Sequence, residues 1–211
     1  MLLTIVDYGV GNLRSIAKSV EKANSDNNLN YSVKVSSDIN DVKKSDKIVL
    51  PGQGSFKACK NGIDNIKGLQ EELNECVLTK KKPIYGICAG MQLFATIGHE
   101  EEKTKGLNWI KGKVIKLDIG SSKLKIPHIG WNELKVENVS SVFQDVINED
   151  HAYFIHSYEF IPENKKAVSI TTDYGKNVVA AVSLGNIFGS QFHPEKSQDT
   201  GIKILTNFLN L

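Results

Sequence analysis

Apolar residues fall into short continuous runs in the first half of the chain and into alternating segments in the second. Leu2 to Val6 reads as a buried strand, and Leu13, Ile16, Ala17 and Val20 repeat at the spacing of one helical face. Tyr31 to Val35 alternates like a strand, and Asp46 to Leu50 is a further one. Helical segments are expected between about Phe56 and Thr79, with Leu69, Leu73, Cys76 and Val77 inward. Ile84, Tyr85 and Ile87 form a short strand-like run, and Met91 to Ala95 a helix-like one. The order β, α, β, β, α, β, α predicts an α/β fold: an open, mostly parallel sheet with helices on both faces.

The texture changes after Gly98. His99 to Lys105 reads as a polar connector. Short alternating segments from Leu107 to Val139 predict an additional antiparallel region. Further strands are expected at Ala152–Phe160, Ala167–Thr172, Val178–Ser183 and Ile187–Phe192. A final helix from Thr200 to Leu211 carries Ile202, Leu205 and Leu209 on one face. No repeat, low-complexity tract or linker composition interrupts the 211 residues, so one domain spanning 1–211 is the expectation.

Chemistry concentrates at the junction of the run ending at Ile87 and the helix after it. Gly86-Ile87-Cys88-Ala89-Gly90 is the cysteine version of a nucleophile elbow. A nucleophile on a sharp strand-to-helix turn needs small neighbours on both sides, and a helix N-terminus favours the thiolate. A buried structural cysteine at a tight turn would leave the same trace. Two other glycine-rich turns follow strands. Asp7-Tyr8-Gly9-Val10-Gly11-Asn12 lacks the third glycine of a dinucleotide fingerprint. Pro51-Gly52-Gln53-Gly54 can turn backbone N–H groups toward a ligand oxygen, or be an ordinary βα loop.

Bulk properties narrow the classes. A net charge of +2, with both signs mixed throughout, gives no argument for nucleic acid or an anionic membrane surface as partner. Lys80-Lys81-Lys82 is expected to mark a solvated helix end. No apolar run is long enough to span a bilayer, and the first residues lack the basic and apolar regions of a secretion signal. Three cysteines without a Cys-x-x-Cys pair argue against a disulfide framework or a zinc site and fit a reducing cytoplasm. Cys59 and Cys76 read as small buried hydrophobes.

A cysteine nucleophile needs a base and a group to orient it. Among the five histidines, His193 stands two residues before Glu195, a spacing that puts both side chains on one face of an extended chain. Pro194 between them removes a ladder donor and puts the pair at a strand's end. Alone, His-Pro-Glu would be a turn with an exposed ion pair. Beside the elbow, a Cys88-His193-Glu195 triad is the better reading. His128 and His156 can line a site, whereas His99 and His151 are expected at the surface. No histidine pair has metal-ligand spacing with a third ligand nearby.

Together these segments resemble the triad-type glutamine amidotransferases, a family with an open, flavodoxin-like α/β sheet. The resemblance is closest to the branch serving as glutaminase subunits of imidazole glycerol phosphate synthase, and it covers essentially the whole chain. The elbow and Gln191-Phe192-His193-Pro194-Glu195 mark the superfamily. Gly11-Asn12-Leu13-Arg14-Ser15, His128-Ile129-Gly130-Trp131-Asn132 and His156-Ser157-Tyr158 mark the branch. The family usually carries a larger residue after the nucleophile, often leucine, where this chain has Ala89.

The resemblance implies hydrolysis of glutamine through Cys88, His193 and Glu195. It implies oxyanion donors from Ala89 and from Gly52, Gln53 and Gly54, and glutamine contacts from Gln92, Ser157 and Tyr158. No metal or organic cofactor is implied. The implied partner is a (β/α)8-barrel cyclase subunit, met through Asn12, Trp131 and Lys196, that consumes the ammonia. Three alternatives remain at this stage, one of them a hydrolase of some other amide that works without a partner. A paralogous subunit could feed ammonia to sugar amidation, and a related open-sheet protein could use its elbow cysteine for redox sensing or as a chaperone.

Overall fold

The computed structural model describes residues 1–120 and 122–211. The first half runs β1 (Leu2–Val6), α1 (Leu13–Asp26), β2 (Ser32–Ser36), α2 (Ile39–Lys44), β3 (Lys47–Leu50), α3 (Phe56–Asn65), α4 (Leu69–Asn74, continued by a π turn at Glu75–Thr79), β4 (Ile84–Ile87) and α5 (Ala89–Gln92). The second half runs β5 (Ile97–Glu100), β6 (Glu102–Lys105), β7 (Gly112–Lys116), β8 (His128–Glu133), β9 (Lys135–Val136), β10 (His151–His156), β11 (Tyr158–Pro162), β12 (Val168–Asp173), β13 (Asn177–Leu184), β14 (Ile187–Ser190) and α6 (Gln198–Leu209).

Eight strands form the main sheet in the order β2-β1-β3-β4-β14-β13-β12-β9. The first five are mutually parallel and reproduce the 2-1-3-4-5 order of a flavodoxin-like sheet. The last three join antiparallel. β3 and β4 are buried at every position, as strands covered on both faces must be. Their side chains divide between two cores. Ile48, Leu50 and Ile84 pack with Phe56, Ile63, Leu69 and Leu73 of α3 and α4. Val49, Tyr85 and Ile87 pack with Ile16 and Val20 of α1 and Ile204, Leu205 and Phe208 of α6. Buried Lys47 donates to the carbonyls of Phe208 and Leu209 at 2.8 Å each, which satisfies the open C-terminal end of α6. The additional region is a four-stranded sheet, β11-β7-β5-β6, antiparallel except for the parallel β5–β7 pair, and an antiparallel two-stranded ribbon of β8 and β10.

Four features depart from the sequence reading. A six-residue helix, α2, stands between β2 and β3, capped by Asp38 and burying only Val42. The polar connector is a hairpin, β5 with β6, turning at Glu101 with φ +58°. The single strand expected at Ala152–Phe160 is two strands in two different sheets, broken at Ser157. Within the lysine run, Lys80 and Lys81 are exposed, but the Lys82 ammonium donates to the carbonyls of Lys43 and Ser45 and so tethers the end of α2.

Candidate functional site

Parallel strands deliver their C-terminal ends to one edge of the sheet, and the candidate residues sit there. The amide of Cys88 donates to Ser190 O at 2.7 Å, continuing the β4–β14 ladder in which Ile87 faces Ser190. That register brings the elbow and the Gln191-Phe192-His193 segment out side by side. His193 is pinned further by its own N–H to Tyr153 O at 3.0 Å and by Ser197 Oγ, which donates to His193 O at 2.7 Å.

The elbow has the steric form its glycines suggest. Cys88 adopts φ +53°, ψ −114°, a region costly for a residue with a Cβ, on the order of 1–3 kcal/mol. A Cβ on Gly86 would lie 2.5 Å from the Phe94 ring and 2.8 Å from the Met91 backbone. A Cβ on Gly90 would lie 2.1 Å from Leu50 O, and one on Gly52 would lie 1.9 Å from the Gly90 nitrogen. The Pro51–Gly54 loop is therefore pressed directly against the elbow. Gly11 and Tyr8 back that loop: a Cβ on Gly11 would meet Pro51 Cβ at 2.8 Å, and the Tyr8 hydroxyl donates to Pro51 O. The helix after Cys88 is only the turn Ala89–Gln92, shorter than the periodicity predicts. Its opening amide, on Ala89, has no intrahelical partner.

A cavity of about 300 Å³ opens at this edge, bordered by Cys88, Ala89, Gly52, Gln53, Gly54, Gln92, Ser157, Tyr158 and His193. Asn12, which also caps α1, and Lys196 stand on the same cavity. Of the candidate site residues singled out in the sequence, Glu195, Trp131 and His128 do not border it. Glu195 lies behind His193 with its side chain 1% exposed, and its Oε1 accepts from His193 Nδ1 at 2.8 Å. That bond fixes the proton on Nδ1 and leaves Nε2 for the opposite partner. Burial disfavours a charged His193, but its interactions with Cys88 and Glu195 outweigh this and raise its pKa to about 9. Cys59 and Cys76 are buried and do not border the cavity, and burial pushes each thiol up to about 11. A thiol, an imidazole held as a cation and a buried carboxylate can together carry out nucleophilic acyl transfer.

Trp131 lies outside the cavity, 48% exposed on the β8–β10 ribbon. It faces Tyr153 across the pair, as Ile129 faces Ile155. The four form an apolar patch whose Ile155 end reaches the cavity.

Sequence reasoning missed two contributors. Glu100, on the strand read as a connector, borders the cavity and accepts from Phe56 N at 2.7 Å, at the start of α3. Gln191 donates from Nε2 to Cys88 Sγ at 3.5 Å; its place just before Phe192-His193 was the available signal. Of the two histidines expected to line a site, His156 borders the cavity, whereas His128 is buried behind it and bonded to it at 3.0 Å. Among the described residues, no group of three His, Cys, Asp or Glu side chains could hold a metal ion, and no helix is long and apolar enough to cross a membrane.

Comparison with known proteins adds to this geometry. The family model for class-I glutamine amidotransferases matches residues 4–211. The chain is 52% identical over 211 residues to the imidazole glycerol phosphate synthase subunit HisH of Pelagibacter ubique, covering 100% of both chains. It is 43% identical to the protein of the same name from Brucella suis, covering 99% of this chain and 98% of that one. Solved structures are similar in fold at much lower identity. A putative GMP synthase subunit from Thermoplasma acidophilum has a TM-score of 0.71 at 18% identity, covering 100% of this chain and 92% of that one. The glutaminase domain of Trypanosoma brucei CTPS, solved with bound acivicin, has a TM-score of 0.67 at 17% identity, covering 100% and 94%. Its sequence from end to end, and a sheet carrying Cys88 and His193 on neighbouring strand ends, assign this chain to the class-I glutamine amidotransferase family, in the branch that contains the HisH subunits.

Proposed function

We propose that this chain is a glutaminase subunit that releases ammonia from glutamine and passes it to a (β/α)8-barrel cyclase, which forms imidazole glycerol phosphate and an aminoimidazole carboxamide ribonucleotide. The observation that carries the reading is Cys88 on a strained elbow, sharing one cavity with a histidine whose far nitrogen is bonded to a buried carboxylate. In this reading the Cys88 sulfur attacks the carboxamide carbon of glutamine. The oxyanion accepts from the Ala89 amide and from the Gly52-Gln53-Gly54 backbone; one such donor is worth roughly 10²–10³ in rate. His193 gives its Nε2 proton to the departing nitrogen, so the C–N bond breaks and ammonia leaves a thioester. The same nitrogen then takes a proton from water as it attacks the thioester, which releases glutamate and restores the thiol. Glu195 holds the ring in register, and Gln92, Ser157 and Tyr158 hold the substrate.

Free ammonia would be protonated in neutral water and lose its nucleophilicity, so a sealed path into a partner is required. The exposed Ile129, Trp131 and Ile155 of the ribbon around half-buried Tyr153, with Asn12 and Lys196 on the cavity beside it, support docking at this edge. A cytoplasmic setting fits three free cysteines, all buried.

The test is steady-state glutaminase activity of the chain alone, with a barrel cyclase, and with cyclase plus an acceptor analogue. Low activity alone and a rise in the full mixture are expected. Full activity in the chain alone would refute the obligate-partner reading. A response only to a sugar-nucleotide acceptor would move the assignment to sugar amidation.

A further inference from the structure

Two buried histidines outside the triad are joined by a directed set of hydrogen bonds that ends on the nucleophile. The direction follows from groups with no choice of role. The carbonyl of Tyr158 can only accept, so His156, 2.9 Å away, must donate from Nδ1. Its Nε2 then carries a lone pair, and His128 Nδ1, 3.0 Å away, must be the donor. His128 Nε2 in turn accepts from the Asn132 amide nitrogen at 3.3 Å. Asn132 is oriented by the backbone on both sides: it donates to Asp173 O at 2.9 Å and accepts from Glu133 N at 2.9 Å.

At the other end the Tyr158 carbonyl also accepts from Gln92 Nε2 at 3.0 Å. The second hydrogen of that amide goes to Gln191 Oε1 at 2.9 Å. Gln191 is thereby turned so that its own nitrogen faces Cys88 Sγ at 3.5 Å. His128 is held flat between Tyr174 and Phe154, with ring centroids 3.9 and 4.6 Å away.

We propose that His128 and Asn132 are positioning residues for glutamine hydrolysis. They lock His156 in one neutral tautomer, and the lock reaches the sulfur through the Tyr158 carbonyl, Gln92 and Gln191. Two consequences follow. Gln191 keeps an N–H on the sulfur, which favours the thiolate. His156 stays uncharged, so His193 is the one charged histidine on the cavity. Burial supports the second point by lowering the pKa of both His128 and His156 to about 4.

This inference rests on the glutaminase reading, and its test separates the two. In the whole chain, 15N spectra of labelled histidine at about pH 7 should show both His128 and His156 as Nδ1–H tautomers with bare Nε2, the less common neutral form. An Nε2–H form or an imidazolium at either ring would overturn the proposal without any variant. Next, the pH profile of Cys88 alkylation is compared across variants. The titratable and charged groups around the sulfur, His193 with its Glu195, Tyr8, Cys59, and Glu100 and Lys196 on the same cavity, are unchanged in all of them. His128→Leu should move the midpoint up by about half a unit or more. In the complex with its partner, the same variant should lower kcat/KM for glutamine about tenfold. His128→Asn, whose amide nitrogen replaces Nδ1 as donor, should restore both to within about twofold of the parent. A His128→Leu protein with the parent's midpoint and kcat/KM would sink the relay. So would a His128→Asn protein as impaired as the leucine variant, because the position would then matter only for packing. Absence of glutaminase activity in the parent would count against the functional reading alone, since tautomers and alkylation are read without turnover.

Discussion

His193 and His156 border one cavity, both are buried, and they titrate in opposite directions, to about 9 and about 4. Burial opposes charge on both rings. The difference lies in what each nitrogen touches. His193 meets a carboxylate and a thiol that can ionise, so its cation is compensated. His156 meets a carbonyl and a second imidazole. The carbonyl favours the cation, but too weakly to offset burial and the repulsion from His128 and His193. Proximity to one pocket therefore does not set a histidine's charge. The chemistry of its two nitrogen partners does, and the chain uses both outcomes within one site.

The largest effect should come from removing the thiol on the charged side. Cys88→Ala should cut glutamine hydrolysis by at least about 10³-fold and leave the fold intact. Synthesis by the complex from added ammonium salts at alkaline pH should persist. Retained glutaminase turnover would end the nucleophile assignment.

Glu195→Gln keeps an acceptor for His193 and deletes the charge, and so tests whether the carboxylate is what separates the two histidines. A loss in kcat of roughly 10²-fold or more is expected, with the His193 titration, followed by NMR, falling from about 9 toward that of His156. An unmoved titration would show that Cys88 alone holds the cation.

Thiol reactivity gives a third measure. Below about pH 8, alkylation of Cys88 should outrun that of Cys59 and Cys76 by at least about tenfold, because burial holds those two near 11. Equal rates, read by mass spectrometry of tryptic peptides, would argue against an activated site.

The smallest effect is on stability in acid. Unfolded histidines bind protons near 6.5, whereas folded His128 and His156 do so only near 4. The unfolded state is thus the greater proton binder between these values, and their contribution to stability, full above 6.5, should decline as pH falls toward 4. His193 acts in the opposite sense: its contribution is full below 6.5 and is lost as pH rises through about 9. Urea melts of the parent and of His128→Asn between these limits test the acid branch, and a parent without acid softening would contradict the neutral pair.

The elbow and the His193-Glu195 pair were legible because each is local: five consecutive residues in one case, a two-residue spacing in the other. The parallel core was legible because strands buried on both faces leave continuous apolar runs. The β5–β6 hairpin was not, because His99 to Lys105 lies at a sheet edge and carries no apolar alternation to find. Helix α2 escaped because only Val42 is buried, and one position shows no period. The break at Ser157 escaped because apolar residues continue on both sides while the chain changes sheet. The His128–His156 pair joins residues 28 apart through the β8–β10 register, which sequence alone does not supply.

Gly52 and Gly90 carry a consequence for how this site can change over time. A first side-chain carbon on Gly52 would run into the Gly90 nitrogen, and one on Gly90 would run into the carbonyl oxygens of Leu50 and Pro51. Both collisions are with backbone atoms, which no compensating side-chain change removes, so neither position can drift. Selection can therefore act on the elbow through its depth beneath this pair, but not by exchanging the pair itself. Variation that retunes the enzyme for another acceptor or another partner is left to the β8–β10 ribbon, where exposed side chains such as Ile129 and Trp131 can be replaced without touching the glycine contact. The molecule thus separates an invariant reaction centre from an adaptable mouth. A library built on the ribbon should yield many folded glutaminases, and one built on the glycine pair almost none.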